Sequence, residues 1–329
     1  MTFFNGCNIA VLGATGLVGR TLVKLLEEYK FPVKDLKLFA SDRSKGKEVE
    51  FMGKTYEIKE INDTDIKDID IAFLCVKENV ALEWAKKFEE NKTIVIDNSK
   101  AYRMNDDCSL IIPEVNMNDY YKKRRIISNP NCSTIQTVIL LNALKKYGLK
   151  RVIYNTYQSV SGSGYCGVLE LENTLSGKKE ILYKDDISNT CIPQIGLFDK
   201  DGYSSEETKM IMETKKILNL PNLLISSTCV RVPVKYSHGV SVLVEFNKDF
   251  KIEDIINIFN ETEGVMVVDL PTSTISNNTD TIYVGRIRKD KFNPKTLLFY
   301  CVADNIRRGA AYNSVKIAMK IIERKYWKK

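Results

Sequence analysis

The chain has 329 residues, 49 lysines and arginines against 42 acidic residues, a formal net charge of +7, and 44% hydrophobic residues. That length exceeds one hydrophobic core, so two domains are expected, and the balance of apolar and charged residues excludes a disordered chain. The lysines are scattered, as in Lys86-Lys87, Lys122-Lys-Arg-Arg125 and Lys328-Lys329, with no basic–aromatic module, which speaks for solvated surface and against a nucleic-acid partner.

In chain order, Asn8-Ile-Ala-Val-Leu12 reads as a short apolar strand. Gly13-Ala-Thr15-Gly16-Leu17-Val18-Gly19 follows and opens an amphipathic helix with Leu17, Val18, Leu22, Leu25 and Leu26 on one face. Strands are expected at residues 37–40, 69–75, 93–97 and 125–128, with a helix over 81–88. Strand alternating with helix implies a Rossmann-type, doubly wound parallel sheet. A helix is expected from Cys132 to about Tyr147, stopped by Gly148.

Beyond residue 150 the pattern becomes β-rich. Strands are expected at 152–158, 224–235, 240–246, 265–268, 281–288 and 297–303, with few intervening helices. This suits a second α+β domain on a mixed or antiparallel sheet. A closing helix over 305–327 should pack back on the first domain. The expected division is 1–133, completed by the C-terminal helix 306–329, and 134–305.

The eight cysteines show no CxxC pairing and mostly lie in apolar runs, as in Phe73-Leu-Cys75-Val. A reducing cytoplasm is expected, with no disulfide framework and no zinc site. One histidine leaves metal chemistry little to use. No segment reads as a signal peptide, and the run at 9–12 is too short to cross a membrane, so no membrane partner is expected.

The glycine turn Gly13-x-x-Gly16-x-x-Gly19 stands after a strand and before a helix, where small residues let a pyrophosphate reach helix N-terminal amides. The second strand ends in Ser41-Asp42-Arg43-Ser44. An acidic residue there suits the ribose hydroxyl of NAD and an arginine the 2′-phosphate of NADP. Arg43 between two serines favours NADP, with Asp42 the competing feature.

Cys132 stands in Asn129-Pro-Asn131-Cys-Ser-Thr134, at a loop-to-helix junction with Asn131 as its cap. First-turn amides there stabilise a thiolate and a developing oxyanion. A buried structural cysteine is the competing reading. His238, the only histidine, is the natural acid/base partner near neutrality, or else a core histidine beside a turn. Arg231 lies in the apolar stretch Cys229-Val-Arg-Val-Pro233, and a partly buried arginine needs an anion.

Several blocks now stand in one order. They are Gly13–Gly19, Ala40–Ser44, Asp97-Asn-Ser, Tyr102-Arg103-Met, Ile112-Pro-Glu-Val-Asn116 and Asn129–Thr134. They continue with Tyr157-Gln158-Ser-Val-Ser161-Gly162, Ile192-Pro-Gln194, Glu206-Glu-Thr-Lys209, Cys229–Pro233 with His238, and Val302-Ala-Asp-Asn305. Together they closely resemble the aspartate-semialdehyde dehydrogenases, essentially from end to end.

The resemblance implies Cys132 as nucleophile, His238 as acid/base and Gln158 as the residue orienting the acyl intermediate. It implies Arg231 on the substrate α-carboxylate, Arg103, Asn131 and Lys209 around phosphate, and Glu206 at the substrate's polar end. Gly13, Thr15, Gly16, Leu17, Val18, Ser41, Arg43, Ser44, Ser161, Gly162 and Asn305 would contact NADP. The implied reaction is reversible, NADPH-dependent reductive dephosphorylation of L-aspartyl 4-phosphate to L-aspartate 4-semialdehyde and phosphate. It would serve lysine, threonine, methionine and diaminopimelate biosynthesis, in a homodimer or homotetramer.

One departure is that Cys75-Val-Lys-Glu-Asn79 replaces the small Ser/Gly-rich turn usual near the nicotinamide. Three rival readings fit these residues less well. N-acetylglutamyl-phosphate reductases usually carry Asn-Pro-Gly-Cys-Tyr, against Asn131-Cys132-Ser133 here. Glyceraldehyde-3-phosphate dehydrogenases follow the cysteine with Thr-Thr-Asn. A catalytically silent NADP-binding protein has no need of Cys132, Gln158, Arg231 and His238 together.

Overall fold

The computed structural model describes residues 6–120, 124–178 and 182–324. Lys122, Lys328, Lys329 and the end of the expected closing helix at Trp327 lie outside the described residues. Two compact units divide the chain, Met1–Pro130 with Ala310–Lys329, and Asn131–Gly309. Asn131, Cys132 and Ser133 therefore belong to the second unit, three residues earlier than the expected boundary. The helix that begins at Cys132 packs on that unit's own helix and strand at 205–218 and 238–246.

In the first unit the chain runs β1 (Cys7–Leu12), α1 (Leu17–Glu28), β2 (Val33–Phe39), β3 (Glu48–Phe51), β4 (Lys54–Lys59) and β5 (Ile71–Leu74). It continues through α2 (Glu78–Glu90), β6 (Ile94–Asp97), β7 (Ser109–Leu110), α3 (Pro113–Asn116) and β8 (Ile126–Ser128). The strands order as β3-β4-β2-β1-β5-β6-β8-β7, parallel except for the β3–β4 hairpin. Side chains alternate across β1. Ile9 and Val11 join α1 and the C-terminal helix (Tyr312–Glu323) in one core, whereas Ala10 and Leu12 join α2 through Trp84, Ala85 and Phe88 in another. Each fully buried Leu or Phe contributes roughly 1.5–3 kcal/mol. Covering both faces makes the sheet doubly wound.

The second unit begins with α4 (Cys132–Ala143), which ends earlier than the sequence pattern suggests. A tighter turn (Lys145–Tyr147) follows and stops at Gly148, where φ is 74°. Next come β9 (Leu149–Gln158), α5 (Tyr165–Leu175), α6 (Ser205–Leu218), β10 (Leu224–Arg231), β11 (His238–Phe246) and α7 (Ile252–Glu261). β12 (Val265–Val267), α8 (Ser273–Ser276), β13 (Ile282–Lys289) and β14 (Thr296–Ala303) complete it. The sheet orders as β10-β9-β11-β14-β13-β12 with both parallel and antiparallel pairs, the mixed sheet expected. The helices between its strands are more numerous than expected. The closing helix is also preceded by a wider π-turn at Arg307–Ala311. Among the described residues no helix is long and apolar enough to cross a membrane.

Candidate active site

Strand register assembles the site in the second unit. Arg231 of β10 pairs with Gln158 of β9, which pairs with His238 of β11. The three side-chain positions thus form one row across three neighbouring strands, with adjacent strands roughly 4.8 Å apart. All three residues are buried.

The nucleophile helix is fastened to this row. Asn131 has an extended backbone (φ −60°, ψ 145°), and its Oδ1 accepts from the amides of Ser133 at 2.9 Å and Thr134 at 3.3 Å. This satisfies two first-turn donors of α4 and leaves Cys132 as its first residue. Gln158 Nε2 donates to Ser133 Oγ at 2.7 Å and to Glu206 Oε1 at 3.1 Å. Asn131 Nδ2 donates to the same Glu206 oxygen at 2.7 Å, and the Asn131 backbone amide donates to Glu213 Oε2 at 2.7 Å. Two carboxylates of α6 therefore hold the residue before the cysteine, one by its side chain and one by its backbone.

Glu206, rather than its neighbour Glu207, meets Asn131 and Gln158. Glu207 forms a capping box with Ser204 and accepts from the Cys229 amide at 2.9 Å. Burial pushes the Glu206 carboxyl upward, but the Lys209 ammonium at 2.9 Å and the two amide donors outweigh that, holding it down at about 2. Glu206 is thus an anion at neutral pH, paired with a half-buried lysine.

His238 Nδ1 accepts from the backbone amide of Ser159 at 3.0 Å and lies 3.0 Å from its hydroxyl. Burial first, then the Arg231 charge, push the imidazole down to about 3 against the pull of Glu206. Its Nε2 and the Nε of Arg231 have no protein partner. A Cβ added at Gly162 would stand 2.7 Å from Arg231 Nη1 and 3.2 Å from His238 Nε2. Glycine leaves that space clear.

Gly309 has the same role beside the nucleophile, since its added Cβ would stand 2.7 Å from Cys132 Cβ. Sequence reasoning missed Gly309, Glu213 and Ser159. Glu213 lies seven residues after Glu206, two turns along the same helix face, so reading residues 205–218 as a helix would have found it.

Ser161 and Asn305, expected at the cofactor, are joined by a 3.0 Å hydrogen bond from Ser161 Oγ to Asn305 Oδ1. Gly162 lies beside them in the second unit, and the other expected cofactor residues lie in the first. Gly13 has φ +88°, and a Cβ there would stand 2.2 Å from the Cys75 carbonyl oxygen, so the turn requires glycine. Gly16 caps α1 with no side chain on the first-turn amides and no acidic residue in the first turn. A dinucleotide pyrophosphate fits that uncapped helix N-terminus.

Ser41 and Arg43 are exposed and Ser44 partly so, around a short turn at Asp42–Ser44. The departing segment after β5 leads directly into α2, capped by Lys77 without a side-chain hydrogen bond. The Cys75 thiol, pushed up to about 12 by burial and next by Asp97, is a neutral neighbour of Gly13. Arg103, also in this unit, is buried and donates to the carbonyls of Ser99 and Asn98, each at 3.0 Å.

Comparisons with known proteins agree with this architecture. Residues 8–123 match the family model for the semialdehyde dehydrogenase NAD binding domain, and residues 140–308 match the semialdehyde dehydrogenase dimerisation domain. An aspartate-semialdehyde dehydrogenase of Aquifex aeolicus is 43% identical, with 97% of this chain and 98% of that protein covered. One from Bacillus subtilis is 39% identical, with 95% and 96% covered. The crystal structure of aspartate semialdehyde dehydrogenase II from Vibrio cholerae superposes with a TM-score of 0.94 at 38% identity, over 97% of this chain and 99% of that one. The same enzyme complexed with ASA gives a TM-score of 0.95 at 37% identity, with the same coverage. The chain belongs to the aspartate-semialdehyde dehydrogenase family.

Proposed function

We propose that the chain catalyses the reversible, NADPH-dependent reductive dephosphorylation of L-aspartyl 4-phosphate to L-aspartate 4-semialdehyde, through a thioester on Cys132. The observation that carries this reading is the row Arg231–Gln158–His238 tied through Ser133 to the first turn of the Cys132 helix. The family's activity supplies the substrate class.

The Cys132 thiolate, favoured by the positive end of α4, attacks the acyl carbon, and phosphate leaves with the carbon–oxygen bond broken. Lys209 and Asn131, with Arg103 as the resemblance implies, stabilise the phosphate. Arg231 holds the substrate α-carboxylate, and its unpartnered Nε is a donor suited to that anion. Glu206, an anion, suits the substrate's ammonium group. NADPH, when bound, supplies the hydride that reduces the thioester carbon. Collapse of the Cys132 hemithioacetal then expels the thiolate and releases the aldehyde.

The uncapped α1 N-terminus with Gly13 and Thr15–Val18 would hold the pyrophosphate, and Arg43 with Ser41 and Ser44 the 2′-phosphate. Ser161, Gly162 and Asn305 would serve the nicotinamide end. A homodimer or homotetramer is proposed, built on the second unit's sheet, where Tyr157, Leu224 and Met266 are exposed. The proposed setting is cytoplasmic amino-acid biosynthesis, without nucleic-acid or membrane partners.

The test is Cys132→Ser, assayed by NADPH oxidation with aspartyl phosphate and by mass spectrometry of the trapped enzyme. Loss of both turnover and adduct with NADPH binding intact is expected. Near-wild-type turnover, or an adduct on another side chain, would refute the assignment.

A further inference from the structure

We propose that Ser159, braced by Asn305, is a positioning residue that holds His238 with a single proton, on Nε2, so that the ring meets the substrate's reacting oxygen as a hydrogen-bond donor. The proposal rests on the reaction proposed above and deepens it, because it gives the histidine a defined form at the site.

A peptide N–H only donates. The Ser159 amide, 3.0 Å from Nδ1, therefore requires a lone pair on that nitrogen, and the neutral ring's proton must sit on Nε2. A second proton on Nδ1 would point at the N–H and break the contact. The Ser159 carbonyl accepts from Arg231 Nη1 at 2.7 Å. One residue thus fixes both the histidine and the arginine through its backbone, while its side chain is tied from behind.

Asn305 supplies that tie. Its Oδ1 accepts from Ser159 Oγ at 3.1 Å, from Ser161 Oγ at 3.0 Å and from the Ser237 amide at 2.9 Å. The Ser237 amide, a donor only, fixes which end of the Asn305 amide faces the cluster. Ser237 has φ +73°, a left-handed conformation that non-glycine residues rarely adopt, and it immediately precedes His238. Asn305 therefore holds the strained residue that feeds the ring into β11.

Two observations point from this cluster to a ligand. His238 Nε2 and Arg231 Nε are both buried donors without a protein partner, in side chains at least nine-tenths buried. Gly162 keeps clear the space beside both side chains. A ligand carrying a carboxylate for the arginine and a carbonyl or oxyanion oxygen for Nε2–H matches the pair. The charged groups acting on the ring are Arg231 from β10 and Glu206 from α6. Gln158 of β9, Gln136 of α4, which donates to the His238 carbonyl, and Ser159, Ser161 and Asn305 are neutral. The resulting downward shift agrees with a ring that carries one proton.

The single histidine makes the test direct. Untagged full-length protein labelled with [15N]histidine gives one pair of ring nitrogen signals. The expected spectrum has a protonated, pyrrole-type Nε2 and a bare, pyridine-type Nδ1, unchanged from about pH 8 to about pH 5. A proton on Nδ1, or both nitrogens protonated near neutrality, would overturn the proposal. Two variants then test Ser159 itself. Ser159→Ala keeps the peptide N–H, and the tautomer should persist. Ser159→Pro removes it, at a backbone φ of −64° that proline adopts without strain. There the ring should show mixed tautomers, with burial and Arg231 still holding its titration low, and kcat should fall roughly 100-fold. An unchanged Ser159→Pro spectrum would exclude Ser159 as the positioning group. If that variant does not fold, the wild-type spectrum still decides the tautomer. The Cys132 adduct experiment is independent of this outcome, so failure of the two readings is distinguishable.

Discussion

Replacing His238 with asparagine removes the only imidazole of the chain while keeping an acceptor for the Ser159 amide. In the folded protein the ring is pushed from 6.5 down to about 3, by burial and then by Arg231. Between those values the unfolded chain binds a proton that the folded chain does not. Stability from the neutral ring is therefore complete above 6.5 and declines as pH falls toward 3. Going from about pH 7.5 to about pH 5 should cost the wild type about 2 kcal/mol through this group alone, taking 1.36 kcal/mol per pH unit. That figure is set almost wholly by the unfolded pKa, since a folded value of 3 or 4 gives the same result. Glu206, also depressed, acts in the same direction but only at lower pH, adding about 0.2 kcal/mol over this interval.

The assay is hydrogen–deuterium exchange of peptides covering β9 and β11, expressed as protection factors so that intrinsic rates cancel. Wild-type protection should fall about 30-fold more than that of His238→Asn over this interval, the equivalent of 2 kcal/mol. Parallel loss in the two proteins would show that the ring is not held neutral by the fold, and the reasoning would fail.

Gly309→Ala should force Cys132 aside, at a cost of about 1–3 kcal/mol in thermal stability, and should slow alkylation of Cys132 about tenfold or more. Wild-type alkylation would mean that the π-turn yields freely. Asn131→Ala should cost about 1 kcal/mol through the lost cap, measured by urea unfolding. Asn131→Asp keeps an acceptor for the cap but sets a second carboxylate against Glu206, so it should be the worse of the two. Arg43→Ala should raise the KM for NADPH about tenfold and leave that for NADH nearly unchanged. Equal effects on both cofactors would place the 2′-phosphate elsewhere.

The parts legible in the sequence are those where local chemistry and tertiary demand coincide. A strand followed by Gly13-Ala-Thr-Gly16 fixes both the turn and the helix entry. Asn131 before Cys132 announces a capped helix whatever packs around it. The β3–β4 hairpin escaped notice because its two-residue turn is Met52-Gly53, and Met52 at φ 49° is not a residue that advertises such a turn. Helix α6 was missed for a different reason. Its inward face carries Glu206, Glu207 and Glu213, so a search for apolar periodicity passes over it. The carboxylates facing Asn131 are thus the feature that hid the helix. Ser159 was invisible in principle, because what it contributes is mainly its backbone, and no side-chain pattern records that.

The grip of α6 on Asn131 sets a limit on how this stretch of chain can change. The two carboxylates are spaced by two helical turns, roughly 10.5 Å of rise. Gaining or losing one residue between them would swing the second through about 100° around the axis and carry it away from the amide it meets. Drift in α6 can therefore proceed by exchanging its outward side chains, but not by altering the distance between positions 206 and 213, which works as a gauge block for the reactive sulfur.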